Sequence, residues 1–285
     1  MEDDDPGGEI NLRINPGPSG EGTKAEPYFT LEEIFHKADS NVDGYLSVEE
    51  VSIWINTKTQ EHIHNAIMEN YGLFTAIDIH PRNGVISWDE YHSFFLRKQG
   101  LSSQYIMNHN ERHRDLSRDV KETIMRDRAA WSEAAKSDPD HLTLDEFLAF
   151  RHPESSHSTI LSLVEELLDK FDRDGDEILT EDEFSTLMGD DNQKSGIQTH
   201  GEGERRREFR DVVDQNNDGK ATRKELLFYI DPKNPRHAKE EAETLVMLAD
   251  MDRDGRLSLL EVFNKMDLFL GSKMVDTARS FHDEF

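Results

Sequence analysis

The chain has 285 residues, no cysteine, 33 basic and 60 acidic side chains, and a formal charge of −27. So acidic a surface repels nucleic acid and anionic membranes, the missing cysteines exclude disulfides and thiolate metal sites, and no apolar run approaches the length of a membrane span. A hydrophobic content of 35% is low for one large core and suits an array of small helical cores, with cations or basic partners as the natural ligands.

Residues 1–27, containing MEDDDPGG and NPGPSGEG, have few apolar anchors and read as a flexible acidic arm. No basic segment followed by an apolar one opens it. A first helix is predicted from Thr30, where Thr30 and Glu33 match a capping box and Leu31, Ile34, Phe35 and Ala38 recur at helical spacing. It leads into loop 1, residues 39–50, which fits the EF-hand calcium loop. Asp39, Asn41 and Asp43 stand at positions one, three and five, Gly44 at six, Tyr45 at seven and Glu50 at twelve. Calcium is a hard cation taking about 6–8 oxygens, so a short turn must aim alternate side chains inward; the position-seven carbonyl ligates whatever its side chain, and the last glutamate gives two oxygens. Val51, Trp54 and Ile55 give the following helix an apolar face, for which burial is the ordinary explanation.

Loop 2 ends in Asn83 to Glu90. Counting back from Glu90 puts Ile79 and Pro81 at positions one and three, whereas starting at Asp78 makes the loop one residue too long, so a weak or empty site is expected. Its exiting helix, with Tyr91, Phe94 and Phe95, is expected to pack against the first unit. A polar linker follows over about 98–115, then a helix through Val120, Ile124, Ala130 and Trp131. Loop 3, residues 135–146, has Ala135 at position one, Pro139 at five and Asp140 at six, and reads as an EF-hand without calcium.

Arg151 to Glu154 breaks the helix, and Leu161, Val164, Leu167, Leu168 and Phe171 lead into loop 4, residues 172–183. Asp172, Asp174, Asp176 and Glu183 supply four carboxylates, with Ile178 at position seven. Glu177 replaces the glycine at six, at a cost on the order of 1 kcal/mol, so affinity is expected to fall without being lost. Residues 189–204 form a second linker. Arg205, Arg206 and Arg207 read as the solvated face of a helix whose buried side carries Phe209, Val212 and Val213. Loop 5, residues 214–225, places Asp214, Asn216, Asp218, Lys220 and Glu225 in position, with Ala221 unusually small at eight. Loop 6, residues 250–261, fits best: Asp250, Asp252, Asp254, Gly255, Arg256, Leu257, Ser258 and Glu261 meet six constraints together, where an ordinary Asp-rich turn is merely solvated. Val262, Phe263 and Met266 follow as a last apolar face.

A lone helix–loop–helix cannot bury its apolar face, so units pair. Short spacings of about 36–39 residues between loop starts alternate with longer ones, which predicts an all-α fold of six EF-hand units in three sequential pairs: 28–100, 116–189 and 205–270, with 271–285 as a C-terminal tail.

Six such units ending in His282-Asp283-Glu284-Phe285 resemble the CREC family of secretory-pathway calcium-binding proteins, the reticulocalbin and calumenin type. The resemblance covers nearly everything after Pro27. It includes His152-Pro153-Glu154, the stretch Ser87 to Glu90, and the stretch Gly271 to Asp276 with Ala278 to Ser280, which look most like the family's Golgi member; the HDEF ending is calumenin-like. The tetrapeptide resembles a receptor-read retrieval address, which implies the Golgi lumen, with the endoplasmic reticulum or secretion as alternatives, and a leader upstream of Met1.

No phosphate loop, nucleophile elbow or His-Glu-x-x-His pattern supports catalysis, and the pairs His62/His64 and His109/His113 lack an identifiable third ligand, so they read as exposed histidines. The resemblance implies a calcium protein, not an enzyme, that couples lumenal calcium to conformational change or self-association and to the sorting or folding of secretory cargo. On this expectation calcium exposes faces such as Phe263 and Met266 or Phe184 and Leu187; the alternative is a monomer that buries them. A passive lumenal buffer and a cytosolic sensor are the other readings, the sensor disfavoured by nine scattered methionines.

Overall fold

The computed structural model describes residues 26–79, 81–108, 116–186 and 201–284. It is predominantly helical. The first helix, α1 (Glu26–Ala38), begins four residues earlier than the capping signal at Thr30 suggests. It feeds loop 1, whose short strand β1 (Tyr45–Ser47) is followed by α2 (Val48–Ile77), a single uninterrupted helix of 30 residues. At about 1.5 Å per residue α2 is roughly 45 Å long. Loops 1 and 2 therefore lie at its opposite ends.

That rod decides how the loops pair, and the sequential scheme does not hold. In loop 2, β2 (Ile86–Ser87) precedes α3 (Trp88–Lys98); in loop 3, β3 (His141–Leu142) lies between α5 (Arg118–Ala134) and α6 (Leu144–Arg151). In loop 4, β4 (Leu179–Thr180) lies between α7 (His157–Phe171) and α8 (Glu181–Ser185); in loop 5, β5 (Lys220–Ala221) lies between α9 (Glu202–Glu208) and α10 (Arg223–Ile230). In loop 6, β6 (Arg256–Ser258) lies between α11 (Pro235–Ala249) and α12 (Leu259–Asn264), which α13 (Met266–Leu270) follows. The strands join antiparallel as β1 with β6, β2 with β3, and β4 with β5. Loop 1 thus meets loop 6, loop 2 meets loop 3, and loop 4 meets loop 5, rather than 1 with 2, 3 with 4 and 5 with 6. The residues at position eight face each other: Leu46 opposite Leu257, Ile86 opposite Leu142, and Leu179 opposite Ala221.

Each ribbon roofs one apolar core. Leu31, Phe35, Leu46, Val51, Ile55, Leu245, Leu257 and Val262 form the first, Phe74, Ile77, Ile86, Trp131, Leu142 and Phe147 the second, and Val164, Leu168, Leu179, Phe184, Phe209, Val213 and Leu226 the third. Fully burying a side chain of this size contributes about 1.5–3 kcal/mol. Tyr91 and Phe94 pack into the second core, beside the third unit, and not against the first unit. The α2 rod contributes to the first and second cores, α6 and α7 connect the second to the third, and α10 and α11 return from the third to the first. With α11 packed along α2, the chain closes into a ring.

Three further expectations change. The linker after α3 contains a short helix, α4 (Ser103–Asn108), with residues 109–115 outside the described ones. Arg205 is not on a solvated face: it is buried and donates to the Ser185 carbonyl at 2.9 and 2.6 Å, while Arg206 pairs with Glu181, Asp182 and Glu202. The segment after Leu270 is no loose tail. Met274 and Phe281 are buried, the Trp54 indole donates to the Met274 carbonyl at 2.9 Å, and α14 (Thr277–Glu284) follows. The flexible-arm reading of 1–27 and the linker reading of 189–204 fall mostly outside the described residues, as do Leu187 and the HDEF side chains, but Glu26 and Pro27 open α1 and Glu202 to Glu204 open α9.

Candidate calcium loops

In four loops, a first aspartate closes the turn on backbone amides. Asp39 accepts from Asp43 and Gly44, Asp172 from Gly175 and Glu177, Asp214 from Asp218 and Gly219, and Asp250 from Arg253 and Gly255. The side chain at position three then caps the amide of position five, and that at five caps the amide of seven. In loop 1 Asn41 accepts from Asp43 at 2.8 Å and Asp43 from Tyr45 at 2.9 Å. Asp174 and Asp176, Asn216 and Asp218, and Asp252 and Asp254 repeat the pattern onto Ile178, Lys220 and Arg256. Each loop closes with a capping box in which Glu50, Glu183, Glu225 or Glu261 reaches back to Ser47, Thr180, Thr222 or Ser258.

Backbone conformation separates these four loops from the others. Each has left-handed residues at both positions four and six: Val42 and Gly44, Gly175 and Glu177, Asn217 and Gly219, Arg253 and Gly255. Among the described residues, loop 2 has such a residue only at Gly84, and loop 3 has none. Loop 2 does start at Asp78, which is buried and accepts from Asn83 and Gly84, so the extra residue is absorbed before the bend. Its complement of acceptors is poorer, since Ile79, Pro81 and Arg82 carry no side-chain oxygen. Loop 3 opens on Ala135, and Glu146 accepts from Lys136, Ser137 and Thr143.

The electrostatics suit a doubly charged cation. Ligand oxygens of Asp172, Asp174 and Glu183 lie within 4.8 Å of one another, as do those of Asp250, Asp252 and Asp254. A hydrogen bond from the Asp176 amide pulls Asp174 down, but desolvation and the charges of Asp176, Glu183 and Asp172 outweigh it, and the carboxyl lies above the usual aspartate range. Asp252 is raised in the same way, the Asp254 amide opposing desolvation and the charges of Asp254, Glu261 and Asp250. At position twelve the balance is opposite. Desolvation raises Glu50, Glu183 and Glu261, yet hydrogen bonds from amides and hydroxyls leave all three below the ordinary glutamate value, ionised and ready to ligate. An all-oxygen donor set with a bidentate glutamate at the helix start is the chemistry that Ca2+ requires.

The loops thus define a calcium-binding protein of the EF-hand class, and the EF hand family model matches residues 31–52. The chain is 37% identical over 261 residues to the 45 kDa calcium-binding protein of Gallus gallus, covering 90% of this chain and 73% of the relative. It is 36% identical to those of Xenopus tropicalis and Homo sapiens, with 90% and 72% covered. The chain belongs to the family of 45 kDa calcium-binding proteins, and Ca2+ is its ligand. No solved structure matches it. No described helix is long and apolar enough to cross a membrane.

Proposed function

We propose that six EF-hand units, paired 1 with 6, 2 with 3 and 4 with 5, make a calcium-dependent clasp in which loops 1, 4, 5 and 6 bind the ion and loops 2 and 3 serve as packing. The observation that carries this reading is the doubled left-handed bend, which among the described residues occurs only in those four loops, together with their carboxylates at positions one, five and twelve. Loop 1 would hold calcium through Asp39, Asn41, Asp43, Tyr45 and Glu50, loop 4 through Asp172, Asp174, Asp176, Ile178 and Glu183. Loop 5 would use Asp214, Asn216, Asp218, Lys220 and Glu225, and loop 6 Asp250, Asp252, Asp254, Arg256 and Glu261. Because loops 1 and 6 share a ribbon, ions there stabilise the closure between the two ends of the described chain. Without metal, repulsion among crowded carboxylates opposes that closure. Four ions would reduce the formal charge from −27 to about −19.

Calorimetry with native mass spectrometry tests the assignment. Four ions per chain are expected, at dissociation constants of about 10⁻⁴–10⁻³ M if the protein works in a calcium-rich lumen. Replacing Glu261 with Gln removes a charge and should selectively weaken the loop 6 site. Occupancy of loop 2 or loop 3, or an unchanged loop 6, would overturn the assignment.

The family resemblance supports a place in the secretory-pathway lumen, self-association with calcium, and sorting of cargo. A passive lumenal buffer is the second reading, and one observation favours it. Phe184 is buried, and Phe263 and Met266 pack on the first core, so an assembling switch must open a pair or use other surfaces. Sedimentation in chelator and in millimolar calcium separates the two: reversible growth in mass supports assembly, and a monomer that only becomes more compact supports the buffer.

A further inference from the structure

Away from the calcium loops, His62 in the middle of α2 meets a turn from 90 residues further on. After α6 ends, His152-Pro153-Glu154 forms a tight turn against α2, with Pro153 to Ser155 in a 3-10 helix. There the His62 Nε2 lies 2.7 Å from Glu154 Oε1, and His152 Nδ1 lies 3.2 Å from the same oxygen. The three ligand atoms are all within 4.8 Å of one another. Glu154 is 4% exposed, whereas the imidazoles retain 15% and 18% of their side-chain surface, enough to leave the cluster an open side. The Phe281 ring stacks on His62, 5.4 Å between centroids and 20° from parallel, and forms one wall.

We propose that His62, His152 and Glu154 form a site for a borderline divalent metal ion of the Zn2+ class, separate from the calcium loops in place and in chemistry. Two imidazoles and one carboxylate are a known zinc donor set that leaves a fourth position for water or a further ligand. Imidazole nitrogen also discriminates against calcium and magnesium, which take oxygen. The ligands sit on a long helix and a proline-fixed turn, so little ordering is needed when an ion enters. His64, which the sequence places beside His62, is exposed and stands outside the cluster. Of the pair noted in the sequence only His62 takes part, and the turn after α6 supplies the other two ligands, His152 and Glu154.

The test uses the full chain in millimolar calcium, so that the loops are saturated, and titrates Zn2+ by calorimetry and Co2+ by visible absorption. One equivalent of zinc is expected, with the d–d bands of imidazole-ligated cobalt and a zinc-dependent rise in melting temperature. His152→Gln retains an amide N–H toward Glu154 but loses the imidazole ligand, and should weaken zinc binding about 100-fold or more, since loss of even an outer-shell partner costs 10–100-fold. His62→Gln should do the same and His64→Gln should not, with calcium stoichiometry unchanged in all three. Absence of a zinc equivalent in the unmodified chain, or binding that survives both His62→Gln and His152→Gln, would overturn the proposal and leave the cluster a hydrogen-bonded staple between α2 and the turn.

Discussion

In loop 4 the sixth position is Glu177, held at φ 63°, and the loop bends there without the glycine that loops 1, 5 and 6 use. A non-glycine residue in the left-handed region costs roughly 1–2 kcal/mol. Gly175, at position four with φ 75°, takes the other bend without that cost, a compensation visible in the sequence only to a reader who counts both bends. Glu177→Gly is expected to raise stability by about 1 kcal/mol, because the surface pair it removes, with Arg223 at 3.2 Å, contributes only about 0–1 kcal/mol. Chemical denaturation in calcium checks it; a destabilised variant would show that the Arg223 pair outweighs the strain. Ligand positions were legible because calcium chemistry fixes residue type at a fixed spacing. The buried Arg205 was not, since its partner is a backbone carbonyl that leaves no trace in side-chain composition.

Among the elements, the three ribbons are short, and nothing in a two- or three-residue strand names its partner. Leu46, Ile86 and Leu257 are equally plausible neighbours by type. What the sequence did offer was α2 itself, 30 residues with no proline, against the broken elbow at Asp231 to Pro235 between α10 and α11. A double-mutant cycle tests the pairing. Leu46→Ala and Leu257→Ala should each cost about 2–5 kcal/mol and couple by more than about 0.5 kcal/mol, whereas Leu46→Ala and Ile86→Ala should be additive. The reverse pattern would restore the sequential scheme. At the elbow, His237 Nε2 lies 2.9 Å from the Tyr229 carbonyl, and desolvation holds the imidazole below its usual value despite that hydrogen bond. The folded chain therefore favours neutral His237 while the unfolded chain takes a proton below about pH 6.5. Stability from this residue is present above that pH and declines below it. His237→Gln, which can keep the N–H donor, should flatten the loss between pH 7 and 5; an unchanged profile would place the pH dependence elsewhere.

For the whole molecule, the order of pairing converts six local motifs into a ring whose closing contact joins the first loop to the last. The Arg256–Asp43 ion pair at 3.4 Å and the β1–β6 ribbon cross that seam, and both belong to loops proposed to hold calcium. Removing calcium should therefore loosen the seam before the 2/3 core, which is proposed to need no ion. The cysteine-free chain permits a direct measurement with spin labels on introduced cysteines. Glu49, Asp89 and Leu260 are exposed and occupy the same position, next to the final glutamate, in loops 1, 2 and 6. Dipolar distances in millimolar calcium should be below about 25 Å for Glu49→Cys with Leu260→Cys, and above about 35 Å for Glu49→Cys with Asp89→Cys, as adjoining strands and a roughly 45 Å helix require. A short distance between positions 49 and 89 with a long one between 49 and 260 would contradict the ring.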